Sequence, residues 1–324
     1  MNKILITGAA GLIGSHLADA LLKKRYTVIG YDNLSAGNLK NITHSLSDKN
    51  FKFIKGDILD GKKVNLAAQK INCIVHLAAA KKIGEDGSAL DTLIVNSDGT
   101  RNVLEVAKNN KIKVIFASTS DVYGLSQDLP FNEKGNSVIG PATAKRWAYA
   151  VSKMYCEQMA FAYYKEFRVP VVILKYFGCF SERASSSGSG GHIPLFIEAV
   201  LNNKPVIIHG DGTQTRSMGH VDDIIRGTIR AIENPKAIGE IINIGNDEEA
   251  SVLKAAKRIH RFANTGKKIK LQFVPLKKIF ADYQDIARRA PDLSKAYRLL
   301  GYKPRVSFDA ALRKALLKNP RNTE

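Results

Sequence analysis

Residues 6–14 read ITGAAGLIG and contain three glycines, Gly8, Gly11 and Gly14, spaced G-x-x-G-x-x-G. They follow the β-rich run KILIT and open a stretch with helical apolar spacing. Glycines let the backbone turn tightly and approach a pyrophosphate, and a helix N-terminus offers unpaired N–H groups with a partial positive charge. The pattern therefore predicts a strand, turn and helix that bind a dinucleotide.

Two carboxylates support this prediction. Asp32 ends the second β-rich run, TVIGYD, about 20 residues on, where a carboxylate can bind both ribose hydroxyls. An acid there repels a 2′-phosphate, and no arginine follows it immediately, so the sequence favours NAD over NADP. Asp57 ends the third run, FKFIKGD, and is placed to reach the adenine edge.

From residue 3 to about 176, short β-rich runs alternate with helical stretches. The predicted strands are KILIT, TVIGYD, FKFIKGD, CIVHLAA, KVIFAST and VVILKYF, and the predicted helices are 12–25, 60–70, 88–110 and 144–167. Such alternation predicts a parallel sheet with helices on both faces. The expected fold class is α/β, a Rossmann-type doubly wound parallel sheet.

The pattern changes after Phe177. SERASSSGSGG, residues 181–191, predicts a flexible loop or lid. Beyond it we expect a helix over 193–202, strand VIIHG, a helix over 222–233, strand EIINIG, a helix over 251–263 and two helical pieces after Pro291. We interpret 1–177 as an NAD-binding domain and 178–324 as a smaller mixed α/β substrate-binding lobe, with some chain crossing back to the sheet.

Composition narrows the class of protein. In 324 residues no apolar run approaches the ~20 needed to span a bilayer, and the N-terminus lacks a signal-peptide pattern, so we expect a cytoplasmic protein with no membrane partner. Three scattered cysteines favour neither a disulfide framework nor a metal site. The formal charge of +19 is spread along the chain without a nucleic-acid motif. We expect a solvated basic surface with a positive cleft for phosphorylated ligands, and no nucleic-acid partner.

RWAYAVSK contains Tyr149 and Lys153 at positions i and i+4, on one face of a helix. An ammonium near a phenol, with a positive nicotinamide close by, would lower the pKa of Tyr149 toward neutrality, so that the tyrosine acts as a base. Ser118 or Thr119, at the end of a neighbouring strand, offers a hydroxyl that could share the substrate's proton.

With these residues the chain resembles the extended short-chain dehydrogenase/reductase superfamily, in its nucleotide-sugar epimerase/dehydratase/decarboxylase group. The resemblance covers nearly the whole chain, through ITGAAGLIGSHL, YDNLSAGNLKNI, HLAA, STSDVYG, YAVSK, GDGTQTR, HVDDI and NIGN. It implies that NAD takes a hydride from sugar C4 while Tyr149 takes the hydroxyl proton, that the 4-keto sugar then reacts, and that NADH returns the hydride. It also implies a nucleotide-sugar substrate, UDP-linked in our interpretation, and a homodimer in which helices 88–110 and 144–167 form an intermolecular four-helix bundle.

The resemblance also implies roles for single residues. Thr119 matches the hydroxyl partner of the base, Tyr149 the base, and Lys153 the ribose-binding lysine. The positions it places at the NAD site are Gly8, Gly11, Leu12, Ile13, Gly14, Asp32, Asn33, Asp57, Ile58, Leu77, Ala78, Ala79, Lys81, Tyr149, Lys153 and Tyr176.

Substrate residues are implied in the same way. Lys81 matches a lysine near the nicotinamide and the sugar, and Arg216 and Arg289 match arginines that clamp the nucleotide diphosphate. His209, in VIIHG, matches a position that stacks on the base. Lys81, Lys82 or Arg183 could bind a carboxylate on the sugar.

The chain departs from the family pattern around the sugar pocket. Gly178 stands where an asparagine is usual, SER at 181–183 replaces G-P-R, and Met218 and His220 stand where aromatic residues are usual. These departures leave the NAD half of the pattern intact.

Ser120 and Asp121 bear on the fate of the keto sugar, and we place both at the catalytic centre. A carboxylate at 121 resembles UDP-glucuronate decarboxylases and 4,6-dehydratases, which carry the longer glutamate, whereas 4-epimerases commonly have a small hydroxyl. The best-known dehydratases place an aspartic acid before that glutamate, where this chain has Ser120.

Decarboxylation, which needs no acid for a leaving group, is therefore the leading interpretation. A 4-epimerase of UDP-hexoses and a dehydratase stay open, as does a purely structural turn role for Asp121. An NAD-binding regulatory module is the alternative of another class, although such modules typically lose the tyrosine and lysine pair.

Overall fold

The structure, a computed structural model, describes residues 3–81, 88–184, 191–278 and 285–317. Its strands are β1 Lys3–Thr7, β2 Thr27–Asp32, β3 Phe51–Lys55, β4 Cys73–His76, β5 Lys113–Thr119, β6 Val171–Tyr176, β7 Gly178–Phe180, β8 Val206–His209, β9 Thr215–His220, β10 Ile241–Ile244, β11 Glu249–Ser251, β12 Leu271–Val274 and β13 Arg288–Arg289. Its helices are α1 Leu12–Lys23, α2 Thr43–Leu46, α3 Gly61–Ala67, α4 Ala89–Asn110, α5 Trp147–Phe167, α6 His192–Leu201, α7 Val221–Glu233, α8 Val252–Ala263, α9 Ser294–Leu300 and α10 Phe308–Leu317.

Seven parallel strands form the main sheet, in the order β10, β6, β5, β4, β1, β2, β3. The predicted doubly wound α/β fold is therefore confirmed. Because the strands are parallel, their carboxyl ends share one edge, where Thr7 pairs with His76 and Thr119 pairs with Tyr176. This is the edge at which open α/β sheets bind ligands.

Helices bury both faces of this sheet. Ile4 and Ile6 of β1 belong to a core that includes Leu17 of α1, whereas Leu5 belongs to a second core that includes Val103 of α4. Successive side chains of a strand point to opposite faces, so this alternation follows from strand geometry. Continuous apolar strands are what two covered faces require.

The C-terminal part contributes to two places. β10 joins the main sheet beside β6, and Ile224 and Ile225 of α7 belong to the same core as α1. α6, α8 and α10 share a separate apolar core with β8, in which Phe196, Ile259 and Phe308 are buried. The domain boundary near residue 177 stays a prediction. Residues 185–190 of the predicted loop and Lys82 lie outside the described residues.

Within the described ranges, no helix combines the length and the apolar character of a membrane span. The predicted cytoplasmic location stays a prediction.

Candidate active site

The glycine turn leaves room for a ligand's phosphates beside α1. Gly8 has a φ of +74°, and a Cβ on Gly14 would lie 2.1 Å from the carbonyl oxygen of Gly8. Gly11 caps α1 without a side-chain hydrogen bond, so the first N–H groups of the helix, from Leu12 and Ile13 onward, meet no side-chain cap among the described residues. A close backbone approach and open N–H groups fit the pyrophosphate of NAD.

Asp32 and Asp57 are held rigidly at the ends of their strands. Asp32 accepts hydrogen bonds from the N–H groups of Ala10, at 2.9 Å, and Leu34, at 2.7 Å. Asn33 joins the two acids, because its side-chain amide donates to Asp57 at 2.8 Å. The two residues predicted to bind the ribose and the adenine therefore belong to one hydrogen-bonded unit. Their carboxylates fit the hydroxyl and amino groups of the adenosine half of NAD.

The other predicted cofactor positions lie along the same sheet edge. Leu77, Ala78 and Ala79 follow β4 directly, and Ile58 follows β3 as a buried residue. Tyr176 ends β6 as a buried residue, and its hydroxyl pairs with Thr228 of α7 at 2.7 Å.

Asn96 fixes the loop that carries Lys81. Its side chain accepts from the N–H of Ala80 at 2.8 Å, and it donates to the carbonyl of Ala80 at 3.0 Å and to Ser152 of α5 at 2.9 Å. Ser152 precedes Lys153, so one buried amide ties the β4 loop to the helix with the predicted catalytic pair. The sequence analysis assigned no role to Asn96.

Lys153 is buried, and its ammonium donates to the carbonyl of Ala117 in β5 at 2.8 Å. Burial lowers the pKa of Lys153 to about 8, although Cys156 and Glu157 raise it in part. The ammonium therefore already has a backbone partner next to Thr119.

Tyr149 differs from its prediction in one respect. Burial, and then the negative charge of Asp121, raise the pKa of its phenol, whereas the sequence predicted a lowered pKa. The prediction considered the lysine and the nicotinamide but neither the burial of the phenol nor the neighbouring carboxylate. When bound, NAD supplies the hydride acceptor and the positive nicotinamide on which the predicted lowering depends.

The three hydroxyl residues at the end of β5, Ser118, Thr119 and Ser120, have different surroundings. Ser118 donates a short hydrogen bond to the buried Glu157, whose carboxylate lies 3.4 Å from Lys175. Thr119 accepts from the N–H of Asp121 at 3.1 Å, and Ser120 is buried. Side chains alternate along a strand, so Ser118 and Thr119 face opposite ways and Thr119 shares the side of Asp121.

Asp121 is buried among three cations. Its carboxylate lies 2.8 Å from Arg289, 3.6 Å from Lys81 and 3.7 Å from Arg146. Burial alone would raise its pKa, but Arg289, Lys81 and Arg146 together hold the pKa well below its usual range. Asp121 is therefore ionised, with three cations beside its one carboxylate.

Arg289 lies beside the predicted catalytic residues. We expected it to bind a diphosphate, but its described partner is Asp121. Its Nε is also buried and has no hydrogen-bond partner among the described residues, so it can donate to an anion.

Arg146 was missed from the sequence. The available signal was its position just before the YAVSK motif, three residues before Tyr149, and its side chain is only 8% exposed.

The lobe places Arg216 opposite Arg289, as register partners on β9 and β13. Arg216 donates to Asp285 at 2.7 Å. Burial, and then the charge of Arg216, lower the pKa of His192 to about 4, and the sequence analysis gave His192 no role. His209 is exposed at the end of β8. The diphosphate and base roles of Arg216 and His209 stay predictions.

Arg183 has another partner in this structure. Its guanidinium donates to Asp19 of α1 at 2.6 Å, and the preceding Ser181 pairs with His16 of α1 at 2.9 Å. These contacts hold the chain after β7 against α1. A substrate role for Arg183 stays a prediction.

Comparison with known proteins extends these observations. Residues 5–315 match the model of the family described as GDP-mannose 4,6 dehydratase. A UDP-N-acetyl-alpha-D-glucosaminuronate decarboxylase from Bacillus cytotoxicus is 35% identical over 317 residues, which cover 97% of this chain and 97% of the relative.

Solved structures agree with the fold. UDP-glucuronic acid 4-epimerase from Bacillus cereus, in complex with UDP-glucuronic acid and NAD, superposes with a TM-score of 0.87 at 34% identity, over 97% of this chain and 98% of the other. The dTDP-glucose 4,6-dehydratase from Bacillus anthracis, in complex with NAD, superposes with a TM-score of 0.85 at 25% identity, over 98% of this chain and 96% of the other.

Proposed function

The chain belongs to the GDP-mannose 4,6-dehydratase family of NAD-dependent nucleotide-sugar-modifying enzymes, and from this membership we propose that it decarboxylates a UDP-linked uronic acid. The sugar is oxidised at C4 and then loses its C6 carboxylate as carbon dioxide. This proposal keeps the leading interpretation of the sequence.

The observation that carries the proposal is the charge of the cluster around Asp121. Three cations surround one buried carboxylate, and Arg289 retains a buried N–H donor with no partner among the described residues. Buried charges are stable when they are paired. A second carboxylate, such as C6 of a uronic acid, would accept from the Arg289 Nε and add a negative charge beside the three cations, whereas the C6 hydroxyl of a neutral hexose carries no charge to offer them.

Asp121 favours loss of that carboxylate. A group ionised this far below neutrality cannot donate a proton to a departing hydroxyl, which disfavours dehydration. As a carboxylate it also repels a second carboxylate bound beside it. When the C5–C6 bond breaks, its electron pair moves to the 4-keto oxygen and carbon dioxide leaves, which relieves the repulsion.

Thr119 and Tyr149 serve the oxygen at C4. Thr119 ends β5 on the side of Asp121, and Tyr149 lies on the helix next to it. Their hydroxyls can hold the 4-keto oxygen as it gains negative charge.

The test is to incubate purified protein with UDP-glucuronate, UDP-glucose and their N-acetyl relatives and to read product masses. We expect loss of carbon dioxide from a uronate. Loss of water from a UDP-hexose, or no reaction with any uronate, would overturn the proposal.

Epimerisation of a uronate at C4 is the second candidate. The same three cations would hold a carboxylate firmly, and a firmly held carboxylate resists loss of carbon dioxide. The relative from Bacillus cereus is a UDP-glucuronic acid 4-epimerase. A uronate product of unchanged mass with an inverted C4 signal in NMR would favour this candidate over decarboxylation.

We also propose that the protein is a homodimer through α4 and α5. These helices pack together and expose six large apolar side chains on one protomer, Leu90, Leu93, Ile94, Val151, Tyr155 and Phe167. An exposed apolar set of this kind is typical of an interface. We expect Ile94→Arg to yield a monomer in light scattering. Leu66→Arg, an equally drastic change at an exposed leucine of α3, is the control and should leave the dimer intact.

A further inference from the structure

The contact between Asp121 and Arg289 joins two segments far apart in the chain, and one buried side chain connects them. We propose that Asn243 is a positioning residue that sets this contact and thereby the response of the site to a substrate anion. For the uronate as that anion, the inference rests on the proposed function.

Asn243 lies in β10 and is fully buried. Its side-chain oxygen accepts from the hydroxyl of Tyr123 at 2.8 Å. Its side-chain nitrogen donates to the carbonyls of Phe131, at 2.8 Å, and Asp292, at 3.2 Å. One amide thus makes three hydrogen bonds to three separate stretches of chain.

Two of these stretches carry the ion pair. Tyr123 belongs to the short turn Ser120–Tyr123, which also contains Asp121, and Asp292 comes three residues after Arg289. Phe131 also holds the segment that follows Arg289. Its backbone N–H donates to the carbonyl of Ala290 at 2.8 Å, and its carbonyl accepts from the N–H of Asp292 at 2.9 Å. The Asn243 amide therefore bridges the turn of Asp121 and the segment of Arg289.

The chemistry of the amide is what this position requires. Its three contacts need one acceptor and two donated bonds, which a neutral carboxamide supplies without adding charge. A carboxylate of the same shape would meet two carbonyl oxygens without a proton to share. A displacement near 1 Å suffices to impair a positioned catalytic group. Arg289 is the closest of the three cations to Asp121, so it is the one that such a shift would change most.

The test compares Asn243→Asp and Asn243→Leu with matched changes at Asn246. Asn246 is also a buried asparagine, whose side chain accepts from the nearby N–H of Glu248 and donates to the distant carbonyl of Val306, and neither partner lies in the segment of Asp121 or of Arg289. We expect both Asn243 variants to lose kcat/KM by about ten- to a hundredfold, mostly through KM, and to keep bound NAD. The Asn246 variants should lose as much thermal stability as the Asn243 variants do, but their kcat/KM should stay within about twofold of wild type.

A double variant separates positioning from general damage. If Asn243 acts through Arg289, then Asn243→Asp in an Arg289→Lys background should change kcat/KM little beyond Arg289→Lys alone. Additive losses, or a wild-type kcat/KM in Asn243→Asp, would overturn the inference.

If the Asn243 variants do not fold, Tyr123→Phe is the second probe. It removes one of the three bonds, and we expect it to raise KM in the wild type but not in the Arg289→Lys background. Equal changes in both backgrounds would overturn the inference. All comparisons use whichever nucleotide sugar the wild type turns over, so failure to decarboxylate a uronate would refute the proposed function alone.

Discussion

Tyr149 is the residue predicted to accept the proton of the sugar's C4 hydroxyl. Thr119 can hold the oxygen, but a threonine hydroxyl is too weak a base to replace a phenolate. We therefore expect Tyr149→Phe to lower kcat by about 10² to 10⁴-fold while NAD stays bound. Turnover and the NAD content of the purified protein are the measurements. Tyr297→Phe, an exposed tyrosine of α9 outside the proposed dimer interface, is the control, and an equal loss there would contradict the assignment.

The buried ammonium of Lys153 lowers the stability of the fold. Burial lowers its pKa from 10.5 to about 8, so the unfolded chain binds more protons between those values and stability rises with pH across that window. Below about pH 8 the penalty for the buried charge is roughly 3 kcal/mol. Replacing Lys153 by an apolar residue removes this penalty, but it also removes the hydrogen bond to Ala117, which costs about 1 kcal/mol of stability.

Lys153→Met should therefore abolish activity yet stabilise the protein by about 2 kcal/mol at pH 7. The gain should shrink as the pH rises from 8 toward 10.5. Thermal unfolding of both proteins at several pH values measures this difference. The exposed Lys145→Met is the control, with a difference that does not change with pH. A gain that grows with pH would show that the sign of the linkage is wrong.

At the scale of elements, the turn from β1 to α1 depends on close packing of backbone. A Cβ on Gly14 would lie 2.1 Å from the oxygen of Gly8, so Gly14→Ala must displace either the turn or the helix. We expect a loss of about 1–3 kcal/mol in stability and loss of bound NAD, measured by thermal unfolding and by absorbance of released cofactor. In Gly61→Ala, the control, the atoms nearest to a Cβ would be those of the flexible Asn102 side chain, at 3.2 Å or more. NAD retained in Gly14→Ala would contradict the role of this turn.

This turn also explains why much of the fold was predictable from the sequence. ITGAAGLIG, Asp32 and the Tyr149 and Lys153 pair are local patterns, in which the spacing along the chain fixes the geometry. The six predicted strands of the main sheet and its flanking helices accordingly appear within a few residues of their predicted bounds.

The Asp121 cluster was not predictable in the same way. Arg146 and Arg289 reach Asp121 only because α5 and β13 pack at the same sheet edge, and nothing in local spacing encodes that meeting. The raised pKa of Tyr149 was missed for the same reason, since burial and then the charge of Asp121 raise it, and both depend on tertiary packing.

At the scale of the whole molecule, the net charge of +19 should act on a negatively charged nucleotide sugar before it binds. Residues 250–278 alone contain nine lysines and arginines and no carboxylate. Exposed charges are screened by salt, since the screening length falls from about 30 Å at 0.01 M to about 3 Å at 1 M, whereas the buried Asp121 cluster is screened much less.

We therefore expect salt to slow the capture of the nucleotide sugar and to leave the reaction of the bound substrate unchanged. Between about 0.01 M and 1 M potassium chloride, kcat/KM should fall by about tenfold or more, while kcat changes by less than about twofold. Steady-state kinetics at each salt concentration measures both quantities, and sucrose at matched viscosity controls for slowed diffusion. If kcat fell in step with kcat/KM, salt would be reaching the buried cluster. If neither changed, the basic surface would have no part in capturing the substrate, and the cations around Asp121 would have to account for substrate binding alone.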